Sequence, residues 1–340
     1  MTPPSRSSPA ASRAQQLGLF EEPAPPPVVA PATPTPEVLE LARRLPPNIR
    51  FGTSSWTFPG WHGLVYNGEH PQNVLARHGL HAYVQHPLLR TVGVDRSYYG
   101  PLGVEDLQDY SRVLPPGFTA VLKVWEAITL PVFPNHARYG KNAGLPNPHF
   151  LDPAVFAQEV LAPLQEAFWS HVGALVLEFS PMTSGAWGGD AVAFSRRLDG
   201  FLGALEPGLP LAVELRNPEL FTPRHLHTLA AHGVAHVYNR WSRMPAIGAQ
   251  LQATGAPQTP HVVARIMLPP GRSYEERKTR CAPFHELVDV DLPMRQDVAR
   301  LALAVLGTPR TLLVIVNNKA EGSAPRTVEA LAAQVVAALP

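Results

Sequence analysis

Three acids and three bases stand at the C-terminal ends of apolar, strand-like runs: Asp95, Glu178 and Glu214 against Lys123, Arg216 and Arg265. The run Leu211-Ala-Val-Glu-Leu-Arg-Asn-Pro218 shows the pattern most clearly. Side chains alternate along a strand, so Val213 and Leu215 fall on one face and Ala212, Glu214 and Arg216 on the other. An acid and a base at the end of an apolar strand are costly to bury unless paired or used. Period-two counting turns Asp95, Lys123, Glu178, Glu214, Arg216, Arg265 and Asn317 to one side. It turns Val94, Leu122, Leu177, Leu215 and Val316 to the other. Uncompensated charge on the inner side would cost several kcal/mol per ion. The set is therefore a paired network, a binding site, or both.

The chemistry such residues offer is acid–base work on a small anionic molecule. Glu214 and Glu178, on adjacent strands, are candidate general acid and base, with Lys123 as the third candidate catalytic group. Lys123, Arg216 and Arg265 suit a phosphate or carboxylate, and Asn317 suits a hydroxyl. Asp95, Asn239, Arg240, Ser54, Trp56, Trp61 and Tyr99 are further candidate ligand contacts, because each falls at or just beyond a strand end. Hydrolysis or isomerisation of a phosphorylated sugar or nucleotide-like substrate fits this set, and so does a non-catalytic ligand-binding barrel. No cofactor is required. A divalent ion on Asp95, Glu178 and Glu214 is the weaker alternative, since three cations share the same strand ends and repel it. His62, His78, His136 and His285 form no spaced ligand pair on these strands.

The elements that position these residues are eight strand-like runs: 49–54, 90–95, 118–124, 174–179, 211–216, 234–239, 261–268 and 311–317. They are rich in Val, Leu, Ile and Ala rather than cleanly alternating, which suits strands buried on both faces of a parallel sheet. Helical patterns lie between them at 74–84, 105–113, 153–169, 191–205, 223–232 and 274–306, with a last one at 325–338. The sixth connection, 240–260, is rich in Gly, Pro and Gln and reads as irregular. Eight strands alternating with about eight helical connections predict a single α/β domain, a (β/α)8 TIM-type barrel over 49–340. An open doubly wound sheet would carry a Gly-rich loop after its first strand. Here that strand is followed by Ser54-Ser55-Trp56-Thr57-Phe58-Pro59-Gly60-Trp61, which is aromatic. In a barrel the strand ends listed above converge at one mouth. The loops after them add Tyr66, Met182, Trp187, Trp241 and Arg243, a mixture of aromatic faces and cations that suits a sugar ring or base beside an anionic group.

The chain of 340 residues is 45% hydrophobic with a formal net charge of +1, so it gives no general case for a nucleic-acid or membrane surface. The single Cys281 excludes an internal disulfide and a Cys-rich metal site. No apolar run of about 18 residues and no signal-peptide core is present, so a soluble cytoplasmic protein is expected. Residues 1–48 hold 12 of the 39 prolines and read as a disordered tail, with one short helix over 37–45. An apolar island interrupts that tail. Gln16-Leu17-Gly18-Leu19-Phe20 resembles the pentapeptide by which bacterial replication and repair proteins bind the DNA sliding clamp. Gln16, Leu17, Leu19 and Phe20 are the matching positions. A DNA-maintenance factor tethered to that clamp is thus a second functional expectation, and a strap packed on the barrel is the plainer one.

Longer motifs carry a further resemblance. Phe51-Gly-Thr-Ser-Ser-Trp56 with Gly60-Trp61, Tyr98-Tyr99, Pro116-Gly117-Phe118 leading to Lys123 and Ile128-Thr129, Val213-Glu-Leu-Arg-Asn217, Arg265 with Tyr274, and Asn317-Asn318 with Ala324-Pro325 resemble the YecE-like family. That family is a domain of unknown function numbered 72. The resemblance implies a (β/α)8 barrel and supplies no reaction. The chain departs from the family pattern where Gly93 and Asp95 replace a Glu and an Asn, where Glu178 replaces a Gln, and where Ser55 replaces a Gly.

Overall fold

The computed structural model describes residues 28–187 and 189–340. The clamp-like peptide with Gln16, Leu17, Leu19 and Phe20 lies outside them. Eight parallel strands form a nearly closed barrel: β1 (Ile49–Thr53), β2 (Thr91–Val94), β3 (Thr119–Lys123), β4 (Val172–Phe179), β5 (Leu211–Leu215), β6 (Ala235–Trp241), β7 (His261–Leu268) and β8 (Thr311–Val316). Each matches a strand expected from the sequence, with no end shifted by more than two residues. Hydrogen-bonded neighbours run β1-β8-β7-β6-β5-β4-β3-β2, and helices fill the connections.

The inward-facing side chains build the interior in layers. Val121, Ala174, Val176, Ala212, Ala235, Val237, Val263, Leu313 and Ile315 form one buried apolar cluster inside the barrel. The next inward positions toward the C-terminal ends are Lys123, Glu178, Glu214, Asn239 and Arg265, so the apolar plug gives way to charge one layer up. The alternate residues, such as Leu122, Leu177, Val213, Leu215 and Val316, join the core between sheet and helices.

The barrel closes between β1 and β2 through a side chain. The backbone N–H of Arg90 reaches the carbonyl of Phe51 at 2.8 Å, below the level where the strands part. Above it, the Tyr83 hydroxyl accepts from the Thr53 N–H at 2.9 Å and donates to the Thr91 carbonyl at 3.0 Å. Tyr83 is fully buried at the end of helix Gln72–Tyr83, so this phenol replaces a missing rung of the ladder.

Two connections and the segment before β1 differ from the simple alternation. The pattern over 274–306 is two helices, Tyr274–Cys281 and Leu292–Val305. Pro283 cannot continue a helix, and Phe284 has a φ of 73°. Buried Arg277 anchors the first of these helices by donating to the carbonyls of Lys319 at 2.9 Å and Ala320 at 3.2 Å. The irregular sixth connection contains a short helix, Ile247–Thr254, that seats Gln250 beneath β6. Residues 28–48, assigned by composition to the tail, pack on the barrel. Val29 is buried, Ala32 and Asn67 exchange backbone bonds with Val65 and Ala30, and helix Pro36–Arg44, capped by Thr35, lies against helix Ala324–Ala338. Among the described residues no helix is long and apolar enough to cross a membrane.

Candidate functional site

The six charged residues of the inner layer meet in one network at the C-terminal end of the barrel. A single oxygen, Glu178 Oε2, accepts from Lys123 Nζ at 2.8 Å, Arg216 Nη2 at 2.7 Å and Arg265 Nη1 at 2.7 Å. Glu214 accepts from Arg216 Nε at 3.2 Å and from Arg265 Nη1. Arg265 Nη2 lies 3.1 Å from Asp95 Oδ1, and Lys123 Nζ lies 3.6 Å from Asp95 Oδ2. Three acids therefore face three bases with no charge left over. Two aromatic rings cover the cations: Tyr98 lies 4.9 Å from Lys123 Nζ, and Trp241 lies 3.8 Å from the Arg216 guanidinium.

Burial decides what this network can do. Glu214 is 0% exposed and Glu178 2%, whereas Asp95 keeps 28% of its side chain open. Burial by itself would raise the Glu178 carboxyl, but Arg216, Lys123 and Arg265 outweigh it and hold the group well below the usual carboxylate range. Burial would likewise lower Arg265, and Glu214, Asp95 and Glu178 reverse that and raise it. These groups stay charged across the ordinary pH range, which suits a fixed electrostatic floor better than proton exchange. The weaker metal alternative meets the same obstacle, because the oxygens of Glu178 and Glu214 already hold cations. Among the described residues no group of three or more acids, histidines or cysteines is placed to hold an ion.

The remaining sequence-predicted residues divide into those near the mouth and those spent on packing. Asn317 donates to Ser54 Oγ at 2.9 Å, tying β8 to β1 beside the network. Asn239 is fully buried and donates to the Leu215 carbonyl at 2.7 Å, 3.5 Å from Glu214 Oε1. Arg240 alternates with inward Asn239 on β6 and pairs with Asp291 at 2.7 Å. Trp56 stands edge-on to Tyr110, and Trp61 is wholly buried with its indole N–H on Asn318 Oδ1 at 3.2 Å. Tyr99 is 65% exposed at the rim.

Beside the network the connection after β3 folds into a hairpin-like flap. Phe133 and Leu145 share a backbone bond of 3.0 Å, and Val132 bridges Pro146. Buried Asn147 pins its base by donating to the carbonyls of Ala127 and Leu130 at 2.7 and 2.6 Å. The flap encloses a pocket of 710 Å³ walled by Tyr99, Trp125, Phe133, Tyr139 and His149, with Glu126 and Arg138 as its charged groups. Arg138 Nη2 contacts Glu126 Oε2, to which the Tyr139 hydroxyl also donates at 3.0 Å. The Arg138 guanidinium lies 4.9 Å from the Tyr99 ring and 4.6 Å from the Tyr139 ring. Burial raises Glu126 above the ordinary carboxylate value, and Glu178 adds to the rise against the opposing pull of Tyr139 and Arg138.

Residues 50–339 match the model of the family described as protein of unknown function DUF72. The chain belongs to the DUF72 family. A DUF72 family protein from Enterococcus faecalis V583 is 18% identical with a TM-score of 0.55, the match covering 86% of this chain and 96% of that one. A DUF72 family protein from Thermotoga maritima MSB8 is 13% identical with a TM-score of 0.53, covering 85% and 99%. At these identities the likeness speaks for the fold alone. No curated protein matches the chain.

In this DUF72 protein Gly93 lies on β2 against the backbone of β1. A Cβ there would stand 3.0 Å from Ser54 Cα and 3.1 Å from the Thr53 carbonyl oxygen. A side chain at this position would press on the backbone of β1. Trp125 follows Lys123 at a strand end in the sequence; the pocket residues that sequence reasoning did not single out are Glu126, Phe133, Arg138 and Tyr139. One signal pointed to them: Trp125-Glu126 directly follows Lys123, at the start of the longest Gly- and Pro-rich connection.

Proposed function

We propose that the open end of the barrel binds a small anionic ligand that carries a sugar or comparable ring, and that the flap pocket is where it sits. The observation that carries this reading is Arg138, 38% exposed in a pocket walled by aromatic rings. Aromatic faces stack on a ring, and a guanidinium grips a phosphate or carboxylate with paired N–H groups. Arg138 is the cation of the mouth most open to solvent, since Lys123, Arg216 and Arg265 keep only 10%, 9% and 1% of their side chains exposed. Lys319, 6% exposed, lies deeper with its Nζ 4.0 Å from the Tyr274 ring. Glu178 and Glu214 then serve the site by fixing Lys123, Arg216 and Arg265 rather than by exchanging protons themselves. The test is a thermal-shift and calorimetric screen of sugar phosphates, uronic acids and nucleotides. At least one should bind the parent protein and lose at least tenfold in affinity with Arg138→Ala. A screen with no binder, or binding indifferent to Arg138→Ala, sinks the reading.

A further inference from the structure

Glu126 stands apart from the other mouth carboxylates. Its side chain is 7% exposed, it begins the short helix Glu126–Thr129 directly after β3, and it opens into the pocket. Only Oε2 is engaged, by Arg138 and Tyr139; among the described residues nothing bonds Oε1. Glu178 and Glu214, by contrast, are locked under cations. We propose that Glu126 is the general acid of this pocket and protonates the leaving oxygen in hydrolysis of a glycoside whose sugar carries an anionic group. This rests on the ligand-binding reading above and adds a reaction to it.

The chemistry balances with water alone. The bond between the sugar's anomeric carbon and the leaving oxygen breaks, and its electron pair stays on that oxygen. The oxygen takes the proton of the Glu126 carboxyl. A water oxygen forms the new bond to the carbon, and its proton leaves to solvent, which later restores the proton on Glu126. The open pocket favours hydrolysis because water reaches the ring. Glu126 Oε1, free of partners among the described residues and open to the pocket, is placed to donate to a leaving oxygen, and burial favours its protonated form.

The groups facing Glu126 make its proton depend on the ligand. Arg138 and Tyr139 face it from the flap, Glu178 from β4, and Tyr98 from the turn after β2. Arg138 and Tyr139 lower the carboxyl; Glu178 and burial raise it. An anion that draws Arg138 away removes a lowering contact, so binding of the anionic sugar itself loads the proton that the leaving group needs.

The test uses uronic acid and 6-phosphosugar glycosides with either a 4-nitrophenyl or a methyl leaving group. A nitrophenolate departs without help, whereas a methoxide needs the acid. Glu126→Gln should cut turnover of the methyl glycoside about a hundredfold or more and that of the nitrophenyl glycoside less than about tenfold. It should also erase the alkaline limb of the parent's pH profile. Tyr139→Phe keeps the pocket's ring, removes a contact that lowers Glu126 and should move that limb to higher pH whatever turnover it retains. Equal losses on both leaving groups, or an unmoved alkaline limb in both variants, overturns the assignment. Arg138-dependent binding of these sugars without hydrolysis of any glycoside overturns it too, and leaves the ligand-binding reading standing. Neither binding nor hydrolysis removes both.

Discussion

Arg265 Nη1 lies 2.7 Å from Glu178 Oε2 and also bonds Glu214, so one guanidinium from β7 crosses the barrel to hold β4 and β5. Its other terminal nitrogen reaches Asp95 beyond β2 at 3.1 Å. Removing it leaves two buried carboxylates short of a partner. Breaking one side of a buried ion network typically costs about 3–5 kcal/mol. Arg265→Ala should therefore lower the unfolding free energy by that order, read as a fall in the urea midpoint at unchanged slope. A loss under about 1 kcal/mol would mean that water replaces the guanidinium freely and that the network is not a dry floor.

Tyr83 offers a separate test of barrel closure. Its hydroxyl accepts from the Thr53 N–H and donates to the Thr91 carbonyl. Tyr83→Phe keeps the ring and strands both backbone groups in a buried seam. The expected cost is about 1–3 kcal/mol. Hydrogen exchange should show the Thr53 amide losing protection more than its neighbours in β1; uniform loss along β1 would place the effect elsewhere.

The strands and their inward register were legible because apolar runs ending in polar residues carry both signals at once. A one-residue slip in β5 would have put Leu215 inside and Glu214 among the helices; the structure has Glu214 inside. What the pattern could not carry was solvent access. Glu178 and Glu214 look available in a list of strand ends, and only the convergence of Lys123, Arg216 and Arg265 on them shows that they are covered. The flap site was less legible still. Glu126 and Arg138 are 12 residues apart in an aperiodic connection, and a turn brings them together rather than a repeat. Residues 28–48 look like tail by proline count, yet Val29 and helix Pro36–Arg44 find apolar surface to bury.

Arg138 should separate stability from binding. Its pair with Glu126 is partly exposed, and exposed ion pairs contribute about 0.2–1 kcal/mol. Arg138→Ala should thus move the unfolding midpoint little while abolishing the thermal shift given by the anionic ligand. Arg138→Lys keeps the charge but not the paired N–H geometry and should recover only part of the affinity. Full recovery by Lys would show that charge alone is recognised.

Buried histidines set the acid stability of the fold. His225 and His236 pack between β6 and its neighbouring helices, and neither His225 ring nitrogen has a partner among the described residues. Burial pushes His225 down to about 3, with His236 adding to the fall, and burial pushes His236 and His86 down to about 4. All three are therefore neutral in the folded protein at pH values where an unfolded histidine, with a pKa near 6.5, has taken up a proton. The unfolded state binds more protons below that value, so stability is full above about pH 6.5 and falls as pH drops toward 4. Together the three should remove on the order of a few kcal/mol over that window. Urea titrations at pH 7.5, 6, 5 and 4.5 check this. His236→Gln offers an amide that stays neutral at every pH and should flatten the slope, and an unchanged slope would assign the acid loss to other groups.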